Sequence, residues 1–391
     1  VATIISGAAG TFDVLAQRLV VDMAPKIYLL EPDSAPLTVL LNKLTKEKAE
    51  NPKYEWMEDE LMPNWTNITN NAGTGTTINL GASAGATGHA KYVTKYSLIK
   101  VPSTGEVMLV TAVNESTGAI TVTRGYGTDV SSVDGSSTPV PVVIIGTAFA
   151  EGAAGSELTH HTTKQTGNYN YIQIFREPVK VTRTAALTNM YGGKLRVTEQ
   201  AKKGIEILRN IENAFLYGVR YLDTSGERRT TGGALYFIST NSTNIGGVLT
   251  YTALENFLRS VFRYGRQRKF LIASPLVMSA LSIIAEARGS VRLVPKATSY
   301  GVSIRQWSSP HGDVMLLKDV NLTGSTYGGY GICLELEECA FRYMQDVVLE
   351  TNVQNPADLF YLDVYTAMVG FELHNEQKHG VMYGISGGSG S

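Results

Sequence analysis

The sequence predicts an α+β fold of several lobes, and three observations predict it. A long amphipathic segment of helical period sits mid-chain, capped helices alternating with short apolar strands follow it, and β-rich texture without helical period flanks both. With 391 residues the chain has the length for two or three cores.

Composition narrows the function. Thirty-four basic and thirty-five acidic residues leave a net charge of -1, so this is not a polycation built to coat nucleic acid, and any contact with double-stranded DNA is expected to be weak and non-specific. Charged residues make up 18% of the chain, against roughly a quarter in ordinary soluble domains. Less surface is committed to water, which fits a subunit that buries itself against copies of itself. Cys333 and Cys339 lie among alternating apolar residues without a partner motif and read as buried free thiols. The longest apolar stretch, 141–150, is broken by Gly146 and Thr147 and falls short of the ~20 residues of a spanning helix. Residues 1–10 carry no basic region ahead of an apolar block, so neither membrane span nor secretory signal is expected. Five N-x-S/T triplets read as by-products of an Asn- and Thr-rich chain.

The elements follow in order. Leu15, Leu19 and Val20 at helical spacing predict a helix over 12–23, stopped by Pro25. Ser34 precedes a second short helix with Leu37, Leu40, Leu41 and Leu44 on one face. Together they read as an extended arm. From Tyr54 a strand is expected, then an Asn-, Thr- and Gly-rich loop up to Gly88. Residues 88–152 hold short β runs at 106–113, 119–124 and 140–145, which predict an inserted β-barrel or sandwich. Residues 168–184 form a long strand whose two faces both carry apolar or aromatic groups, so partners are expected on both sides.

A spine helix is predicted over about 196–221, with Ile205, Leu208, Ile211, Phe215 and Val219 as its core stripe and Lys202, Lys203, Glu206, Arg209 and Glu212 on the other side. Thr252 and Glu255 read as a capping box for the next helix, closed by Gly265. Residues 269–273 are a strand, Ser274-Pro275 caps another helix to about Arg288, and two strands flank a turn at 309–312. These make a compact α/β lobe over 251–331. Strands at 332–336, 340–344, 347–351 and 359–373 close the chain ahead of a flexible tail.

No catalytic, cofactor-binding or metal site is expected. Glu372, His374, Glu376 and His379 match neither His-Glu-x-x-His nor a zinc spacing and read as a solvated strand end. Adjacent His160 and His161 point apart on any regular element. Ser309, His311 and Asp313 crowd one turn, whereas nucleophilic triads are assembled in space, and 328–331 lacks the Lys-Ser/Thr of a phosphate loop.

This order of elements resembles the major capsid fold shared by tailed phages and herpesviruses. Local phrases are similar to one subfamily of phage head proteins: Glu31-Pro32 with Ala35-Pro36-Leu37, then Tyr54-Glu55-Trp56-Met57-Glu58-Asp59. Later come Asn170-Tyr171-Ile172-Gln173-Ile174-Phe175 before Val181-Thr182-Arg183-Thr184, Gly232-Gly233-Ala234-Leu235-Tyr236-Phe237-Ile238 before Thr240-Asn241, and Glu372-Leu373 with His379-Gly380. The resemblance implies an N-terminal arm over 1–50 and an E-loop hairpin over 51–190 that carries the inserted module. It implies a P-domain from 191–250 and 340–385, an A-domain over 251–339 and a flexible tail over 386–391. It further implies a major capsid protein that assembles as hexamers and pentamers into an icosahedral head around packaged double-stranded DNA. Scaffolding, portal and decoration proteins are the further partners, assembly takes place in the host cytoplasm, and the final location is the virion shell. Trp56, Glu58, Asp59, Tyr169, Tyr171, Phe175, Arg176 and Arg183 are the implied inter-subunit contacts, with the two strands of the hairpin ordered mainly by neighbouring subunits. The alternative is a β-rich phage tail or adhesion protein, for which repeats or triple-stranded segments would be expected.

Overall fold

The computed structural model describes residues 35–83, 85, 88–188, 193–288, 294–295 and 305–389. The helix expected over 12–23 lies outside the described residues. Those described divide into two compact units, one made of 35–56 with 168–389 and the other of 57–167.

In the first unit the spine helix runs Leu195–Tyr217, 23 residues and so about 35 Å. It lies on a four-stranded sheet ordered Lys46–Lys48, Cys339–Glu350, Phe360–Leu373, Gln173–Thr182. The last pair is an antiparallel ladder from Gln173 opposite Val369 to Thr182 opposite Phe360. Along Gln173–Thr182, Phe175, Val179 and Val181 face inward while Ile174, Arg176 and Lys180 face outward, the period-two pattern of a strand covered on one face. The expected long strand is thus covered by its own spine helix, because Phe175 shares a core with Ile207, Ile211, Phe215, Phe341 and Phe371. Each such fully buried side chain contributes about 1.5–3 kcal/mol.

The core stripe of the spine needs correction. Its buried seam is Ile207, Ile211, Phe215 and Leu216, whereas Ile205 and Leu208 are half-buried and Val219 lies beyond the helix, 59% exposed. Apolar residues at 205, 207 and 208 fit two overlapping stripes, and Gly204 decides between them. A Cβ there would approach the Tyr365 hydroxyl to 3.2 Å, so the glycine lets the seam face the sheet closely. Glu212, assigned to the solvent side, is fully buried. At the helix end Gly218 and Gly233 pack backbone to backbone, and a Cβ on Gly233 would meet the carbonyl oxygens of Ala214 and Phe215 at 2.6 and 2.7 Å.

Pro36–Leu44 is a helix with proline in its first turn and Leu37, Leu40 and Leu41 buried in the spine core; Leu44 is exposed. This part of the expected arm is docked on its own chain.

The α/β lobe is built on a seven-stranded sheet ordered Ser242–Leu249, Gly380–Gly388, Gly331–Leu334, Arg268–Ala273, Gly312–Lys318, Arg305–Ser309, Val294–Pro295. Helices Tyr251–Val261 and Pro275–Arg288 accompany it, and Leu254, Phe257, Leu258, Val277, Leu281, Trp307 and Val314 share its core. Two expectations are corrected. The cap of the first helix is Thr250, whose hydroxyl accepts from the Ala253 N–H at 3.2 Å, because the helix starts at Tyr251. The segment 386–388 is not a free tail but the end of Gly380–Gly388, which pairs parallel with Ser242–Leu249 and so joins this sheet rather than the spine sheet. Ser274 caps Pro275–Arg288, accepting from the Val277 N–H at 3.1 Å. Cys333 and Cys339 are buried free thiols, and burial pushes the Cys333 thiol up to about 12.

The second unit contains a closed six-stranded barrel, in order Val140–Thr147, Trp65–Ile68, Thr77–Gly81, Ala119–Thr123, Val107–Asn114, Ser97–Lys100. The module therefore begins at Trp65 and not at Gly88. Two of its strands sit in the segment expected to be loop, since Thr66 and Ile68, then Ile78 and Leu80, point inward from strands only 4 and 5 residues long. The core is Ile68, Ile78, Leu80, Ile99, Met108, Val110, Ile120, Val122 and Val142. Glu106 is buried within it and paired with Arg124 at 2.7 Å.

Candidate inter-subunit surface

Strand Lys53–Glu58 alternates, burying Tyr54 and Trp56 while Lys53 and Glu55 face out. The Tyr54 hydroxyl donates to the Phe371 carbonyl at 2.7 Å, and Gly370 is needed beside it, because a Cβ would lie 2.6 Å from that hydroxyl. Trp56 sits between Tyr54 and Phe237, at centroid distances of 6.1 and 5.8 Å, and packs with Ile172. Asn170, also buried, donates to the Phe371 carbonyl at 2.6 Å and accepts from the Gly232 N–H at 2.8 Å. That ties the Asn170 and Gly232 phrases into one joint.

The eight implied contact residues thus separate. Trp56 and Phe175 are covered by their own chain, which corrects the expectation that a neighbour must cover them. Tyr169 and Tyr171 are half-buried; Tyr169 lies between the Lys53 ammonium at 4.4 Å and the Arg220 guanidinium at 3.9 Å. Arg176 and Arg183 in the first unit and Asp59 in the second are exposed, and Glu58 is half-buried. Arg183 opens the short helix Arg183–Leu187, capped by the Thr182 hydroxyl.

Sequence reasoning missed the exposed apolar groups. Leu187 and Leu359 in the first unit are 84% and 75% exposed, and Met57 and Leu61 in the second are 79% and 95% exposed. The available signal was an apolar residue set in an acidic run, as Leu61 follows Glu58, Asp59 and Glu60.

Several buried charges of the first unit sit in locked pairs. Arg196 in the first turn of the spine helix grips Asp363 with two nitrogens, one at 2.7 and one at 2.5 Å, and that guanidinium holds the Asp363 carboxyl below its usual range despite burial. Glu372 is pushed up by burial, but His374 and Arg342 outweigh this and hold it low. Lys269, wholly buried, donates to Glu335 at 3.2 Å. His379 accepts from the Glu335 N–H at 3.2 Å and faces the His374 carbonyl at 3.1 Å through its other nitrogen. Glu376 accepts from the N–H groups of Ser239 and Thr240. The run from Glu372 to His379 therefore serves several separate bonds, and among the described residues no group of three His, Cys, Asp or Glu is placed to hold a metal. Ser309 donates to Glu255 at 3.2 Å and His311 approaches the same carboxylate at 3.6 Å, so the hydroxyl meets the carboxylate directly and not through the imidazole. Among the described residues no helix is long and apolar enough to cross a membrane.

A family model described as SU10 major capsid protein matches residues 4–386. No curated protein matches. Among solved structures the chain is similar to one from Mycobacterium phage Bobi, with 7% identity, a TM-score of 0.51, and 96% of this chain and 98% of that one covered. It is also similar to the capsid of an empty GTA particle, with 8% identity, a TM-score of 0.51, and 95% and 97% covered. Identities this low speak for the fold alone, which is that of tailed-phage capsid proteins. With the family matched over nearly its whole length, the chain belongs to the SU10 major capsid protein family and is a phage major capsid protein.

Proposed function

We propose that copies of this chain assemble as hexamers and pentamers into the icosahedral head that encloses the double-stranded DNA of a tailed phage. The α/β lobe serves as the axial A-domain, the spine helix with its sheet as the P-domain, and the second unit as the module carried by the E-loop. The observation that carries this reading is the family match over 4–386, joined to a first unit in which buried charges such as Asp363, Glu372 and Lys269 are paired internally while apolar groups such as Leu61 and Leu187 stay exposed. A net charge of -1 supports weak, non-specific contact with packaged DNA. Scaffolding, portal and decoration proteins are the natural further partners, and the host cytoplasm the place of assembly.

Asp59, Arg176 and Arg183 are exposed and carry charge that a neighbour can pair. Asp59→Arg, Arg176→Glu and Arg183→Glu together should leave the subunit folded and prevent closed shells, read by electron microscopy beside the wild type. Shells at wild-type yield would remove these residues from the contact.

A further inference from the structure

The N-terminus of helix Pro36–Leu44 is fixed by a single carboxylate. Glu212 accepts from the Leu37 N–H at 2.7 Å, the Thr38 N–H at 2.6 Å and the Thr38 hydroxyl at 2.5 Å, and it is wholly buried. This joins a helix N-terminus, where N–H groups lack partners within the helix, to a negative charge borne by the spine. A second carboxyl, Asp319, lies against Glu212 and is also wholly buried. Its Oδ1 accepts from the Asn321 N–H at 2.8 Å and the Asn321 side-chain amide at 2.9 Å, whereas its Oδ2 has no hydrogen-bond partner. Two carboxylates cannot both be ionised side by side in such a place, so one proton belongs between them.

We propose that Glu212 and Asp319 form a proton-sharing latch that holds helix Pro36–Leu44 on the spine and releases it when the shared proton is lost. With one proton present, Asp319 Oδ2–H donates to Glu212, and Glu212 keeps its charge for the helix terminus. Without it, two negative charges face each other and the dock weakens.

The groups facing the pair do not replace that proton. From the docked helix come Leu37 and Thr38, and the spine supplies Tyr217 beyond Glu212. The phenol of Tyr217 donates to the Asn321 carbonyl at 2.7 Å and is raised by burial, and the Tyr327 ring, at the end of the short helix Gly324–Tyr327, lies tilted beside it with centroids 4.4 Å apart. Burial and the repulsion between the two carboxyls raise the pair, Glu212 up to about 8 and Asp319 in the same direction, so what titrates there is the proton the two share and not that of Glu212 alone. A carboxyl raised in the docked state stabilises docking fully below its ordinary range and loses that stabilisation as pH rises through the docked value. Release is therefore alkaline.

The test is hydrogen exchange by mass spectrometry on unassembled full-length protein, so its outcome is independent of whether shells form. Corrected for intrinsic rate, protection of residues 37–44 should fall about tenfold or more between pH 6 and pH 9, the scale of one linked proton, while that of 107–114 in the barrel stays constant. Asp319→Asn, whose amide donates to Glu212 with no proton to lose, should hold 37–44 protected throughout. Glu212→Gln should show lower protection that does not change with pH. Wild-type protection that is flat over the range, or variants that lose it along the wild-type curve, would overturn the latch.

Discussion

The rings of Trp56 and Phe237 meet edge to face with centroids 5.8 Å apart, joining strand Lys53–Glu58 to the short helix Ala234–Phe237 that follows the spine helix. Trp56 is 8% exposed within its own chain. Trp56→Ala should therefore lower the stability of the unassembled subunit by about 3–5 kcal/mol in urea unfolding. Unchanged stability would mean that the ring is covered only on assembly.

The ladder between Gln173–Thr182 and Phe360–Leu373 bears on proteolysis. Arg176 and Lys180 sit inside it, opposite Thr366 and Leu362, whereas Lys164 is exposed on an irregular segment of the second unit. Trypsin should cut the free subunit after Lys164 first and leave Arg176 and Lys180 intact, as mass spectrometry of the fragments would report. Early cleavage at Arg176 would show that the strand is open until a neighbour arrives.

The spine seam is tested by two matched substitutions. Ile211→Asp puts an unpaired charge among Phe215, Phe341 and Phe371 and should abolish soluble folded subunit. Leu208→Asp, on the half-buried flank, should cost about 1–2 kcal/mol and leave a cooperative transition. Equal damage from both would put the seam back where the sequence alone placed it.

Acid stability should depend on His379. Burial, with Lys269 and Lys378 nearby, lowers it to about 3, so its folded form stays neutral where an unfolded histidine takes up a proton near 6.5. The unfolded state then binds more protons between those values, and stability falls as pH drops below 6.5, at up to about 1.4 kcal/mol per pH unit. His379→Gln should flatten the slope of urea-derived stability between pH 6.5 and 4.5. An unaltered slope would assign it to other groups.

Where the sequence was legible, one pattern dominated. The helix Leu195–Tyr217, the Ser274 cap and the hairpin at 309–312 each rest on local chemistry, a period or a short polar signal, and such signals survive folding. Glu212 was unreadable because a carboxylate on a helix looks solvated unless the N–H groups of Leu37 and Thr38, some 175 residues away, are known to reach it. Trp65–Ile68 and Thr77–Gly81 look like loop in the sequence because a closed barrel supplies their hydrogen-bond partners from 119–123 and 140–143. Trp56 and Phe175 point to neighbours in the sequence because a lone ribbon cannot bury aromatics; the spine and the short helix ending at Phe237, distant in sequence, do so.

The central claim is that this chain builds a closed shell from itself. Purified protein, followed by sedimentation velocity over rising concentration and several salt conditions, with and without a co-expressed scaffolding partner, measures it most directly. The expected result is a cooperative passage from small species to one large discrete boundary, seen as closed shells with five-fold vertices by electron cryo-microscopy. A single small species under every condition would contradict it.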